Sequence, residues 1–349
     1  MLTLYLIAGI GLLVFGSDVL VRGASNLAKI FKISPLTIGL TVVAFGTSAP
    51  EAAVSVFSAL KSHPDIAVGN IVGSNIFNVF VVLGCSALIT PLVVTKQVIK
   101  TETPLMLAAS ILLIVLSLDG SLNKIESTVF LLLIFIYTGW TIFKSRKEQI
   151  KNLALNNQSP KHNAIVYVCF IIVGLIILVL GSKLVVYSAS GIARYFGVNE
   201  MIIGITIVGA GTSLPELTTS IVAAVKKDTD IAIGNVIGSN IFNILFILGL
   251  SGIFSPINLP IDPSVLSFDF INIIATCLLC MTFFITGFKV DRWEGITFIA
   301  LYVMYVLILI GTSKNSPVTA SMKNIYIFIL ISVFLFSCFH ALKQRKQLR

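Results

Sequence analysis

Charge is what this sequence of 349 residues has least of: Asp, Glu, Lys and Arg together make up 11% of it, against 56% hydrophobic residues. A soluble chain of this length needs far more polar surface to cover its core, so a two-domain soluble protein is excluded. Histidine is nearly missing, at three residues, and all five cysteines (Cys85, Cys169, Cys277, Cys280 and Cys338) fall inside apolar runs. Cys277 and Cys280 have CxxC spacing, but no second pair or nearby histidine completes a zinc site, so they read as small apolar packing residues. No basic run with interleaved aromatics is present, which argues against nucleic acid as a partner. The net charge of +9 fits instead the basic excess on the cytoplasmic loops of membrane proteins. The first apolar run lacks a basic leader segment and a clear cleavage site and reads as a retained span.

Long apolar runs are what the chain does have. They fall at about 2–25, 36–60, 66–90, 103–118, 125–143, 164–190, 200–225, 231–254, 266–287, 295–312 and 324–341. That predicts an all-α integral membrane protein with eleven spans. Residues 147–161, with Asn156, Asn157, Gln158, Ser159 and Pro160, have loop composition and form the natural midpoint. Residues 16–91 and 181–256 align without a gap at an offset of 165, with roughly 34 of 76 positions identical. The identities include polar residues inside apolar runs: GTSxPE at 46–51 and 211–216, and DIAxGNxxGSNIFN at 65–78 and 230–243. Five spans fit within the offset. An odd number makes the two copies enter the membrane with opposite orientation, an inverted repeat. The expected organisation is a first repeat over 1–146, a linker over 147–161, a second repeat over 162–313, and an extra span with a basic tail over 314–349. With the amino terminus outside, eighteen of the 24 basic residues fall on or near the cytoplasmic side, and the carboxyl terminus is cytoplasmic too.

Glu51 and Glu216 sit near the middle of the second and seventh runs, with no Lys or Arg close in either span. A carboxylate at that depth costs at least a few kcal/mol unless it faces a cavity or a partner, and such residues usually serve function. Thr47 and Ser48 share a helix face with Glu51, as Thr212 and Ser213 do with Glu216. Pro50 and Pro215 predict a break in each helix, leaving carbonyls over 44–46 and 209–211 without intrahelical donors. Ser74 with Asn78, and Ser239 with Asn243, add further oxygens on one face of the third and eighth runs. Gly69, Gly73, Gly234 and Gly238 form GxxxG spacings suited to close packing. Asn70, Asn75, Asn235 and Asn240 read as hydrogen-bond glue between helices. Two carboxylates among neutral oxygens match the charge and the about six to eight ligands of calcium, and subsets of them suit sodium. Without histidine or cysteine in these motifs, soft transition metals are disfavoured.

With these motifs the sequence resembles the calcium/cation antiporter superfamily, and within it the prokaryotic sodium/calcium exchangers. The resemblance rests on the paired GTSAPE/GTSLPE and GNIVGSNIFN/GNVIGSNIFN segments. It implies two five-helix halves in a ten-span core, beside which the eleventh span is an addition. It implies that Thr47, Ser48, Glu51, Ser74, Thr212, Ser213, Glu216 and Ser239 hold the ions, with carbonyls of Ala44 and Gly209. Asn78 matches the position at the centre of the site. Its mirror, often Asp in the family, is Asn243 here. This leaves only two intramembrane acids and argues against potassium coupling or proton carriage at that position. The implied activity is exchange of sodium for calcium across the cell (inner) membrane by alternating access, the first and sixth spans sliding against a rigid core of spans two to five and seven to ten. Proton-driven exchange of calcium or another divalent ion is the alternative, and a cation channel a more distant one. An enzyme is not expected, since Ser48 and Ser213 lack a His or Lys base, nor is a cofactor beyond the transported ions and the surrounding lipid.

Overall fold

The computed structural model describes residues 1–153, 164–262, 265–313 and 319–347, nearly all of them helical. Nine helices among these residues are long and apolar enough to span a membrane. They are α1 (Leu2–Phe31), α3 (Pro64–Ile89), α4 (Val98–Leu116), α5 (Lys124–Ile150), α6 (Ala164–Tyr195), α8 (Thr229–Phe254), α9 (Ser267–Ile285), α10 (Arg292–Thr312) and α11 (Thr319–Leu342). A tenth, α2, is the pair Pro35–Thr47 and Ala49–Leu60, bent by 48° at its break. Its counterpart α7 is built from Glu200–Ile203, Gly204–Val208, Gly209–Gly211 and Leu214–Val225. The helix of α5 runs on to Leu153, so the first part of the expected linker is helical. Lys147, Glu148, Gln149 and Lys151 are good helix formers, whereas the Asn-rich part of the linker lies outside the described residues.

The duplication is visible in the local geometry. π-Helical turns occur at Gly39–Val43 and Gly204–Val208, and again at Asn78–Leu83 and Asn243–Leu248, in each case 165 residues apart. Two short ribbons tie the halves together: β1 (Leu92–Val93) pairs with β4 (Lys289–Val290), and β2 (Ser121–Leu122) with β3 (Leu259–Pro260), both antiparallel. α3 and α8 are the innermost spans, with 78% and 94% of their apolar windows buried. α1 and α6 lie outside and run antiparallel against each other. A methyl group on Gly9 would come within 3.1 Å of the Gly181 carbonyl, and one on Gly16 within 3.0 Å of that of Gly174. Such close backbone approach is how membrane helices gain dispersion contact without a hydrophobic driving force.

The added helix α11 packs on α9 and α10. The Tyr326 hydroxyl donates to Asn272 Oδ1, Ser337 donates to Thr282 Oγ1 at 2.8 Å, and the Lys323 ammonium lies 4.9 Å from the Phe268 ring centre. Polar bonds of this kind fix the rotation of one span on another where lipid and protein are equally apolar.

Candidate functional site

Each broken helix delivers a serine and a glutamate to the protein centre, and each serine serves the opposite repeat. Ser48 Oγ donates to Glu216 Oε1 at 2.8 Å, and Ser213 Oγ lies 2.7 Å from Glu51 Oε1 and 3.1 Å from Ser74 Oγ. All five side chains are buried, and both glutamates have no exposed surface at all. The second oxygen of each carboxylate, Oε2, has no hydrogen-bond partner among the described residues.

The asparagines order themselves around this centre. Asn78 Nδ2 donates to Asn240 Oδ1 at 3.2 Å, and Asn243 Nδ2 donates to Asn75 Oδ1 at 2.9 Å. With their donor ends committed, Asn78 Oδ1 and Asn243 Oδ1 remain buried without partners among the described residues, as does Ser239 Oγ, one turn from Asn243. Five unpartnered buried oxygens thus come from α2, α3, α7 and α8. An unpaired buried acceptor costs about 1–3 kcal/mol, and a buried charge far more, so such a cluster calls for a cation.

Asn70 and Asn235 brace the breaks. Asn235 Nδ2 donates to Ser220 Oγ at 2.9 Å and to the Glu216 carbonyl at 3.3 Å, while its Oδ1 accepts from Thr47 at 3.0 Å. Asn70 repeats this with Ser55 at 3.0 Å, the Glu51 carbonyl at 3.4 Å and Thr212 at 3.4 Å. The reading of Asn70, Asn75, Asn235 and Asn240 as glue between helices agrees with these bonds. Thr47 and Thr212 therefore sit at the edge of the cluster, tied to a brace.

The carbonyls differ from expectation. Ala44 O is held by Ser48 N–H at 3.1 Å, because a proline at 50 withdraws the donor of the residue four back, Gly46, and leaves Ala44 paired. In the second repeat the carbonyl that Pro215 cannot reach is that of Gly211, and Ser182 Oγ of α6 supplies the missing donor at 2.6 Å. Gly209 is exposed on its flank of α7.

The two halves are not in the same state. A methyl on Gly234 would meet the Leu36 carbonyl at 2.8 Å, and one on Gly238 the Leu40 carbonyl at 2.6 Å and Ala44 Cβ at 2.8 Å. At the mirrored Gly69 and Gly73 a methyl would meet nothing within 4 Å among the described residues. In line with this, Gly39, Thr41, Ala44 and Thr47 are buried, whereas Gly204 and Gly209 are exposed and Thr206 and Thr212 half-buried. The first half of α2 is sealed on α8. The start of α7, up to Val208, stands away from Gly69 and Gly73 of α3.

Two further acids lie in the first turns of apolar helices, away from the paired glutamates. Glu102 is fully buried within α4, accepting from Tyr137 Oη at 2.9 Å and Gln97 Nε2 at 2.8 Å. Asp269 in α9 accepts from Tyr305 Oη at 2.9 Å. The pairs are repeat-related at offsets of 167 and 168, which an ungapped comparison at 165 passes over.

A profile of the sodium/calcium exchanger protein family matches residues 1–143 and 166–311. The chain is 33% identical to the sodium/calcium exchanger MaX1 of Methanosarcina acetivorans, over 88% of this chain and 97% of that one. It is 38% identical to the inner membrane protein YrbG of Escherichia coli, over 77% of this chain and 84% of that one. Among solved structures, the sodium-calcium exchanger NCX_Mj soaked with zero Na+ and Ca2+ superposes with a TM-score of 0.76 at 35% identity, covering 88% of this chain and 98% of that one.

Proposed function

The chain belongs to the sodium/calcium exchanger family, and from that premise we propose that it exchanges sodium for calcium at the cluster around Glu51 and Glu216. The reading rests on the five unpartnered buried oxygens, two of them from carboxylates. Calcium bound between Glu51 Oε2 and Glu216 Oε2 would balance both charges, and Asn78, Asn243 and Ser239 would extend the shell toward the about six to eight oxygens that calcium takes. Ser48 and Ser213 orient the carboxylates, and with Ser74, which bonds Ser213, they keep hydroxyl oxygens at the same centre for the smaller demands of sodium. Thr47 and Thr212, with the carbonyls of Ala44 and Gly209, form the flanks through which ions reach it. Leaving both charges uncompensated is costly, so the site is occupied by one kind of ion or the other, the condition for exchange.

Alternating access is supported by the unlike halves of the repeat. The sealed contact of α2 on Gly234 and Gly238 has its open counterpart between α7 and Gly69 and Gly73. With the amino terminus outside, the open flank at 204–212 faces the exterior of the cell membrane. Passage to the other state exchanges the two arrangements, α1 and α6 sliding together against the remaining spans. The test is calcium-45 uptake into proteoliposomes preloaded with sodium, for the wild type and for Glu51→Gln and Glu216→Gln. Uptake that needs the outward sodium gradient and falls at least a hundredfold in each variant is expected. Equal uptake driven by a pH gradient without sodium would replace sodium by protons as the coupling ion.

A further inference from the structure

An exchanger built from two equivalent halves has no reason to favour one face, unless the residues between its moving and fixed parts differ. One such difference lies where α1 meets the end of α7. Asp18 of α1 accepts from Lys226, at the far end of α7, at 2.5 Å, and the same ammonium reaches the Asp18 carbonyl at 3.2 Å. Arg22 holds the other Asp18 oxygen at 2.8 Å, and Ser25 Oγ donates to Asp228 Oδ2 at 3.2 Å. Two turns of α1 are thus tied to the end of α7 by charge-assisted bonds, with Asp18 and Lys226 each 27% exposed.

The repeat-related positions invert this chemistry. Asp18 corresponds to Lys183 and Lys226 to Lys61, so the mirrored pair is two lysines; Asp228 corresponds to His63 and Arg22 to Tyr187. Among the described residues neither Lys183 nor Lys61 has an ion pair, and Ser190 Oγ, the mirror of Ser25, is buried without a partner. The sealed face carries an attractive lock. Its mirror, which must close when the open flank seals and the sealed one opens, carries like charges.

We propose that Asp18, Lys226, Ser25 and Asp228 are the residues that set the sidedness of exchange, holding the protein with its 204–212 flank open until ions occupy the site. The proposal rests on the proposed sliding of α1 and α6: a contact of 2.5 Å between Asp18 and Lys226 does not survive a displacement of several ångströms. The bonds of Asp18 to Lys226 and of Ser25 to Asp228 break on the way to the other state and are not replaced there, whereas Arg22 travels with Asp18 on α1. A partly exposed pair of this kind biases the equilibrium by about two- to fivefold, and Ser25 with Asp228 adds to it.

The experiment is hydrogen–deuterium exchange of the full chain in lipid nanodiscs, with low sodium and no calcium, followed at peptides covering 204–212 and 35–47. The variants are Asp18→Asn, Lys226→Met, and the reversal Asp18→Lys with Lys226→Asp and Arg22→Gln, which restores an opposite-charge pair. Exchange at 204–212 should slow, and at 35–47 quicken, by about two- to fivefold in both single variants, and return toward the wild type in the reversal. Unchanged exchange at both segments in the single variants overturns the proposal, as does a reversal that behaves like them. Calcium-45 uptake by the same preparations separates the two claims. A wild type without sodium-dependent uptake defeats the transport reading, whereas an active wild type whose single variants leave both segments unchanged defeats only the latch.

Discussion

Replacing Gly73 by alanine should trap the protein with the 204–212 flank open. In the present state a methyl there meets nothing within 4 Å among the described residues, so the fold as seen bears no cost. The cost of the other state can be read from the mirrored Gly238. A methyl at that position would lie 2.6 Å from the Leu40 carbonyl oxygen and 2.8 Å from both Leu40 Cα and Ala44 Cβ. Two of those three atoms are backbone and cannot turn away. Overpacking of this kind costs about 1–3 kcal/mol, and each 1.4 kcal/mol is tenfold, so Gly73→Ala should disfavour the alternate state by about five- to 150-fold. Gly238→Ala carries the same cost in the state seen here and should push the equilibrium the other way. The assay pairs calcium-45 exchange in proteoliposomes with calcium binding to the purified protein. Gly73→Ala should exchange at least fivefold more slowly while its calcium binding stays within about twofold of wild type. Wild-type exchange in Gly73→Ala would refute the idea that the second half closes as the first half has closed.

Other outcomes follow from single bonds. Ser182→Ala removes the donor that stands in for the absent Pro215 N–H, leaves the Gly211 carbonyl unpaired, and should cost about 1–3 kcal/mol in thermal denaturation. Ser17→Ala, which loses only a 3.5 Å contact with Thr219, should cost less. Tyr326→Phe strips the donor from Asn272 Oδ1 and should lower the melting temperature, by a similar energy, with sodium-dependent calcium uptake unchanged; a loss of uptake instead would give α11 a part in transport.

Much of this was legible in the sequence because it is written in polar residues where polar residues are rare. The apolar spans follow from run length, and the broken helices from Pro50 and Pro215. The cluster follows from acids and hydroxyls recurring at 165. The loss of a donor at Gly46 instead of Ala44 is countable too, since Gly46 lies four before Pro50. What the sequence hid has physical causes. The committed donor ends of Asn78 and Asn243 depend on which helix each meets. Glu102 and Asp269 escaped because the offset changes past the loops. The unlike states of Gly69 and Gly234 are beyond any sequence, since both repeats carry the same GxxxG and conformation alone separates them.

The most direct test of the account is diffraction from crystals of this protein soaked in calcium. The account predicts one strong density peak bonded to Glu51 Oε2 and Glu216 Oε2 at about 2.3–2.6 Å, with further oxygen ligands from Asn78, Ser239 or Asn243. Calcium density elsewhere, with both carboxylates bare, would contradict it.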